Sequence, residues 1–358
     1  MNSRLKPSVK LLVALMVVLT MATPTFPCSR VVYLGPAGAV VTGRTMDWTQ
    51  SMETNLWAFP AGLSRNGNAG PQSIEWTSKY GSVVATCYDG LSADGLNEKG
   101  LVANILYLSS SVYPKLDGKR PALSIAGWSQ YVLDNFATVT EAVAALKDEP
   151  FQLAGLTLPG GHAGTGHLSI SDATGDSAVF EYLDGKLVIH HGKQFAVMTN
   201  DPPYEQQLAL NSYWQEIGGA VMLPGTERPA DRFVRASFYL GEAPQTTDET
   251  QQIATMFSII RNVSVPFGAE HPGQPNVAAT LWRTVADQQR LTYYFEMTDR
   301  PNVFWVELAG LDLSAGQPIR KLVVEKAAVM AGEVSRRFSP TKAFGFLPGG
   351  DKKSSNEN

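Results

Sequence analysis

The sequence predicts an α+β protein of layered, largely antiparallel sheets, and three observations carry that reading. Strand-like and helix-like runs arrive in blocks, strands then helices then strands again, not as a repeating βα unit. Tight turn signals join successive strands, which antiparallel neighbours accept and parallel ones do not. Neither an internal repeat nor a long Pro/Gly-rich linker divides the chain.

Residues 1–27 stand apart from this fold. Arg4, Lys6 and Lys10 lead into the apolar run 11–19, and Ala22, Thr23 and Pro24 follow. This is the order of a secretory signal peptide, and the run is short for a bilayer span. Cleavage after Ala22 suits the small residues Thr20 and Ala22, leaving 23–27 as a short pro-segment whose removal, by Cys28 itself or otherwise, precedes activity. Removing 1–27 takes away three positive and no negative side chains, so the formal charge moves from −4 to −7. An acidic chain argues against nucleic acid, and no later segment approaches transmembrane length. The product is therefore expected to be exported, periplasmic or secreted. Residues 28–348 read as one domain and 349–358 as a polar, disordered tail.

The domain opens with a hairpin. Residues 29–34 are β-branched and apolar, Gly35, Pro36, Ala37 and Gly38 signal a turn, and 39–46 resume strand character. Folding about residues 36–37 sets Cys28 opposite position 45, within reach of Arg44 and Asp47. Residues 80–88 and 101–108 read as strands separated by a turn at Ala93, Asp94 and Gly95. Residues 167–171, 177–182 and 186–191 form a meander, with turns at Thr174-Gly175 and Asp184-Gly185, and 195–199 follow as another strand. Thr138 and Glu141 make a capping box for a helix through Leu146. Phe233, Ala236 and Leu240 recur at helical spacing, as do Ile253, Met256, Phe257 and Ile260, before strands return at 292–298 and 303–307.

The chemistry centres on Cys28. A cysteine just behind an export signal is a lipid anchor, an inert thiol or an N-terminal nucleophile. Lipidation wants small residues directly before the cysteine and an aliphatic one three back, and Thr25, Phe26 and Pro27 do not supply them. The count of two cysteines allows a bridge to Cys87, although Cys87 on its apolar strand reads as a buried, inert thiol. The nucleophile reading needs little else. A free α-amino group has a pKa of roughly 7.7–8.0 and can take the proton of its own thiol. Arg44 beside the sulfur would favour thiolate, and Asp47 would hold the ammonium. No histidine is required, and none of His162, His167, His190, His191 or His271 lies in a cysteine-protease context. Asn200, before Asp-Pro-Pro, is by itself a turn residue. Arg232 stands in the first turn of a helix behind Pro229, where the macrodipole disfavours a cation, which hints at a role elsewhere. Trp48, Trp57, Trp76 and Tyr107 suit the apolar wall of a pocket for an aryl or acyl chain. No metal-ligand spacing or phosphate-binding glycine loop is present in the sequence, so no cofactor is expected.

Five blocks in order carry a resemblance: Cys28-Ser-Arg; Gly43-Arg44-Thr-Met46-Asp47-Trp48; Asp94-Gly95-Leu-Asn97-Glu98-Lys99-Gly100-Leu101; Met198-Thr199-Asn200-Asp-Pro-Pro-Tyr-Glu-Gln-Gln-Leu208; and Pro229-Ala230-Asp231-Arg232-Phe233. Together they resemble the choloylglycine hydrolase family of conjugated bile-acid hydrolases and penicillin V acylases. The resemblance implies an N-terminal-nucleophile αββα sandwich of two stacked antiparallel sheets, usually in a homotetramer. It implies Cys28 as nucleophile beside Arg44 and Asp47, Asn200 as a side-chain oxyanion donor, Arg232 as a further active-site arginine and Tyr107 at the second oxyanion position. Tyr107 tilts the likeness toward the acylases, where bile-salt hydrolases carry asparagine. The segment between Asn200 and Arg232 is shorter than the arm that clasps neighbouring subunits in Gram-positive members, which loosens the tetramer inference. That short arm, with Thr54-Asn55-Leu56-Trp57 and Glu75-Trp76, resembles exported Gram-negative penicillin V acylases, which also hydrolyse N-acyl homoserine lactones. The implied partner is a small-molecule linear amide. A conjugated bile-acid hydrolase and a non-catalytic exported binding protein of the same fold are the alternatives.

Overall fold

The opening hairpin forms as the sequence predicts, displaced by one step. Strand β1 (Ser29–Leu34) pairs antiparallel with β2 (Val40–Asp47). The turn centres on Ala37, which with Gly38 takes positive φ, so Arg30 pairs with Arg44 and Ser29 with Thr45. Cys28 therefore lies level with Met46, not with position 45. The computed structural model describes residues 28–268, 278–300 and 302–350. The leader with its cleavage sites, His271 and residues 351–358 lie outside the described residues. Gly349 and Gly350, expected in the disordered tail, instead donate backbone hydrogen bonds to Asn68 and Gly155 at 2.8 and 2.7 Å.

Two sheets follow. The strands flanking the site are β3 (Asn55–Phe59), β4 (Ser82–Cys87), β5 (Leu91–Asn97) and β6 (Val102–Tyr107). The meander is β7 (Gly166–Ser171), β8 (Ser177–Leu183) and β9 (Lys186–His191), and β10 is Val197–Met198. Later come β11 (Thr280–Asp287), β12 (Thr292–Met297), β13 (Val303–Glu307), β14 (Arg320–Val323), β15 (Gly332–Glu333) and β16 (Ser339–Pro340). One sheet runs β10-β1-β2-β11-β12-β13-β15 and the other β9-β8-β7-β6-β5-β4-β3-β14-β16. Every neighbour pair is antiparallel except β13 with β15.

The turn expected at Ala93, Asp94 and Gly95 is instead the middle of buried strand β5. Asp94 and Gly95 are turn residues by composition, but here tertiary contacts override propensity. A side chain at 95 would meet Val84 Cγ1 at 2.6 Å and Leu133 Cδ1 at 2.8 Å, so only glycine lets the layers close. Asp94 accepts from Asn104 Nδ2 at 2.5 Å, Thr284 Oγ1 at 3.2 Å and the Tyr293 hydroxyl. Those bonds satisfy a carboxylate that burial would otherwise penalise.

Helices cover the outer faces. Helices α4 (Pro229–Gly241) and α5 (Glu249–Asn262) lie on the first sheet, where a side chain at Gly43 would meet Ile260 at 2.7 Å. Helices α1 (Trp128–Asn135) and α2 (Val139–Leu146) lie on the second, and α3 (Tyr204–Ile217) packs beside α4. The capping box is present in part. Thr138 accepts from the Glu141 amide at 3.2 Å, while Glu141 reaches the amide of Ala137.

The strand alternation of the hairpin distributes the chemistry. Arg30 and Arg44 turn toward the second sheet, donating to the carbonyls of Ile170 at 3.0 Å and Ile105 at 3.1 Å. Thr45 and Asp47 take the opposite parity, as does Gly43 against α5, and Arg232 of α4 approaches Asp47. Cys28, just ahead of β1, meets both environments: its carbonyl accepts from Arg232, and it lines one cavity with Arg44.

Candidate active site

Cys28 is held by its own backbone. Its nitrogen donates to Asn200 Oδ1 and its carbonyl accepts from Arg232 Nη1 at 2.9 Å, while the thiol lies 3.9 Å from the Asp47 carbonyl. Arg232 explains its unfavourable position in the first turn of α4: the side chain leaves the helix end and is fully buried among acceptors. It donates to Ser29 Oγ at 2.5 Å, Asn200 Oδ1 at 3.1 Å and the Glu227 carbonyl at 2.9 Å, and lies 3.8 Å from Asp47 Oδ2. With its oxygen facing these two donors, Asn200 directs its amide nitrogen to the carbonyl of Tyr107 at 2.7 Å. That nitrogen carries a second hydrogen.

Tyr107 ends β6 where the sheet has a gap. On one side β6 pairs with β7 through Gly166↔Tyr107; on the other, pairing with β5 runs only over Val102, Ala103 and Asn104. Residues 105 and 107 share a direction, and their carbonyls receive Arg44 and Asn200. In an antiparallel ladder the N–H of a residue points the same way as its C=O. The Tyr107 N–H is thereby turned to the side from which Asn200 reaches its carbonyl.

Between the sheets lies a cavity of about 60 Å³, lined by Cys28, Arg44, Met46, Trp48 and Tyr107 together with Met52, Cys87, Leu91, Ala93, Ile105, Ile125 and Leu158. Space of that size admits about four to six waters, or a slender apolar group. Ala93 reaches it through a β-bulge, since Thr86 pairs with Ser92 and Ala85 with Asp94, leaving Ala93 as the extra residue. Bulges commonly re-aim a side chain beside a site. Trp48 packs edge-on against Tyr107 and His162, each at 5.9 Å. Cys28 and Cys87 are both free thiols, so the disulfide that the count allowed is not formed.

Two of the expected pocket residues are elsewhere. Trp57 stacks on Phe59 and donates to Asp89 at 2.7 Å, and Trp76 donates to Asp134 at 2.8 Å and stacks on Phe346. Both belong to an aromatic cluster that does not line the Cys28 cavity. The residues that do so without having been anticipated, Met52, Ile125 and Leu158 among them, come from loops and a short turn whose sequence carries no periodic signal.

Burial dominates the electrostatics. It pushes the Cys28 thiol up, against the opposing pull of Arg44, while Asp47 raises it further and Arg232 lowers it. The sequence-based expectation that Arg44 favours thiolate is right in sign, but desolvation is larger. Burial also lifts Asp47 to about 6 in spite of Arg232, and brings Arg232 down to about 10 in spite of Asp47. Asp47 Oδ1 and two nitrogens of Arg44, Nε and Nη1, are buried without a hydrogen-bond partner. Arg44 is otherwise steadied by the Trp282 ring, 4.5 Å beneath its guanidinium. Among the described residues no cluster of His, Cys, Asp or Glu is arranged to hold a metal.

A site built from the residue just ahead of β1, its hairpin partner and one distant asparagine and one distant arginine side chain can be set against known families. The model of linear amide C–N hydrolases of the choloylglycine hydrolase family matches residues 28–321. The chain belongs to that family. It is a linear amide C–N hydrolase with the N-terminal-nucleophile hydrolase fold. A penicillin V acylase from Pectobacterium atrosepticum is 48% identical over 370 residues, spanning 96% of this chain and 98% of its own. The structure of a penicillin V acylase from Agrobacterium tumefaciens superposes with a TM-score of 0.84 at 52% identity, covering 90% of this chain and 100% of that one. A conjugated bile acid hydrolase from Clostridium perfringens shares the fold, with a TM-score of 0.72 at 23% identity over 86% of this chain and 98% of its own.

Proposed function

We propose that this family member is an exported penicillin V acylase-like enzyme that also hydrolyses N-acyl homoserine lactones, using Cys28 as an N-terminal nucleophile. The observation that carries the reading is the convergence of Arg44, Asp47, Asn200, Arg232 and Tyr107 on Cys28, the residue at which the family match begins. Residues 1–27 would be a signal peptide and pro-segment, and their removal frees the Cys28 amine. Asp47 Oδ1, buried and unpartnered, supports this, because a new ammonium would satisfy it.

In this mechanism Cys28 Sγ attacks the amide carbonyl and its proton passes to the α-amine. A raised thiol needs such an adjacent base. The developing oxyanion is met by the second Asn200 amide hydrogen and the Tyr107 N–H. The α-ammonium then protonates the leaving nitrogen, the C–N bond breaks and a thioester remains. The α-amine next takes a proton from water, whose oxygen attacks the thioester, and the acid leaves as the thiol recovers its proton. Arg44 offsets charge on sulfur, and Arg232 holds Asn200 and the Cys28 carbonyl.

The apolar, narrow cavity supports a phenoxyacetyl or medium fatty-acyl group, with Trp48 and Tyr107 in its wall. A conjugated bile acid is the rival substrate within the family. The homotetramer belongs to the same proposal: Leu210, Tyr213, Ile217 and Met222 are exposed on and just after α3, where a second copy would cover them. Rates on penicillin V, an N-acyl homoserine lactone and a glycine-conjugated bile acid, measured side by side with wild type and Cys28→Ala, test the reading. It expects turnover of the first two exceeding the third, and none by the variant; a preference for the bile acid would reverse the substrate assignment.

A further inference from the structure

Asp201 follows Asn200 directly, yet its side chain makes contacts the reaction scheme does not use. Its carboxylate crosses to the loop after β6. Oδ2 accepts from the Ser109 amide at 3.0 Å, and Oδ1 accepts from Ser109 Oγ at 2.9 Å, Ser110 Oγ at 3.0 Å and the Ser110 amide at 3.2 Å. Ser109 is two residues beyond Tyr107, whose carbonyl receives Asn200 Nδ2. Two consecutive side chains thus grip the same four-residue segment, one at each end.

We propose that Asp201 is a positioning residue that fixes the two oxyanion donors relative to each other, the Asn200 amide from the loop after β10 and the Tyr107 N–H from the end of β6. The inference rests on the oxyanion reading given above. One donor follows β10 and the other ends β6, strands of different sheets that share no ladder. Beside the Arg44–Ile105 bond between the sheets, their spacing is set directly by what bridges the loops that follow β10 and β6. The Asn200–Tyr107 bond is one bridge, a neutral one that uses a single hydrogen of the amide and leaves the second for an oxyanion. The Asp201 carboxylate is the other, and charge-assisted bonds to N–H and O–H groups are the stronger kind. A displacement of about 1 Å at such a site costs on the order of 100-fold in rate.

The turn itself does not depend on Asp201. Gln207, fully buried, donates to the carbonyls of Asn200 and Pro202, the latter at 2.6 Å, and accepts from Thr199 Oγ1 at 2.8 Å. Substituting Asp201 should accordingly leave the segment folded while freeing the bridge.

The test is Asp201→Asn, which keeps the shape but turns an NH2 group toward one of the two backbone N–H donors. On penicillin V, kcat should fall 10- to 100-fold while KM stays within threefold. The Ki of phenoxyacetaldehyde, whose carbonyl adds the Cys28 thiol to give a tetrahedral adduct, should rise by the same factor. The fraction of Cys28 alkylated by iodoacetamide should match wild type. The double variant Ser109→Ala/Ser110→Ala keeps both backbone donors and should lose less than fivefold. A kcat within threefold of wild type for Asp201→Asn overturns the inference, as does a loss that only tracks the alkylatable fraction. Asn200→Ala run in parallel separates the levels. If it is impaired and Asp201→Asn is not, only the present inference fails; if neither is impaired, the oxyanion reading fails with it.

Discussion

Ala93→Leu probes the acyl pocket most informatively. Ala93 is fully buried, is the extra residue of the β5 bulge, and faces a cavity of about 60 Å³. Leucine adds about three carbons to that inner wall, so a long acyl chain loses the burial of about three methylenes, each worth ~0.8 kcal/mol. The loss of ~2.4 kcal/mol corresponds to about 60-fold in kcat/KM. An acyl group too short to reach the wall should lose little. The assay is kcat/KM over a series of N-acyl homoserine lactones of rising chain length, normalised to alkylatable Cys28. Overpacking costs the fold about 1–3 kcal/mol, so Tm is followed alongside. The expected result is a preference shifted to shorter chains. A uniform fall at every length, or an unchanged long-to-short ratio, would refute the placement of the acyl chain.

Other outcomes follow from the same geometry. Asn200→Ala should lower kcat by about 10²–10³ with a smaller change in KM, as for loss of one oxyanion donor, and steady-state kinetics check it. Arg232→Met strands the buried Asp47 carboxylate and should destabilise the fold by about 3–5 kcal/mol in urea titrations; a neutral result would mean that the pair contributes nothing. Asp47 gives a pH signature in the unprocessed chain. Its carboxyl titrates at about 6 when folded instead of 3.8, so its contribution is fully present below pH 3.8 and is lost as pH rises through 6. Wild type should therefore lose about 3 kcal/mol relative to Asp47→Asn between pH 3.5 and 7, and a stability difference independent of pH would contradict the raised value.

The sequence carries the hairpin and the elements with clean periodicity, because local pattern and turn chemistry are decided within a few residues. From the hairpin alone Cys28, Arg44 and Asp47 come together, and the error of one residue lies in the turn apex at Ala37, whose positive φ no local preference of alanine announces. Asn200 and Arg232 lie 172 and 204 residues from Cys28. No periodicity encodes such contacts, and they were legible only through the family resemblance. Trp57 and Trp76 show the opposite failure: size and hydrophobicity mark them for burial, but Asp89 and Asp134, which bind their ring nitrogens, select a different cluster. Strand β5 was hidden because Asp94 and Gly95 are turn formers whose reasons are tertiary, a hydrogen-bond network and a close approach of layers.

The most direct test is intact-mass and N-terminal peptide analysis of active protein quenched in acid during turnover of penicillin V. The account predicts a chain beginning at Cys28 with a phenoxyacetyl group on that residue, lost on treatment with hydroxylamine. Fully active protein that keeps residues ahead of Cys28, or that carries the acyl group on another side chain, would contradict it.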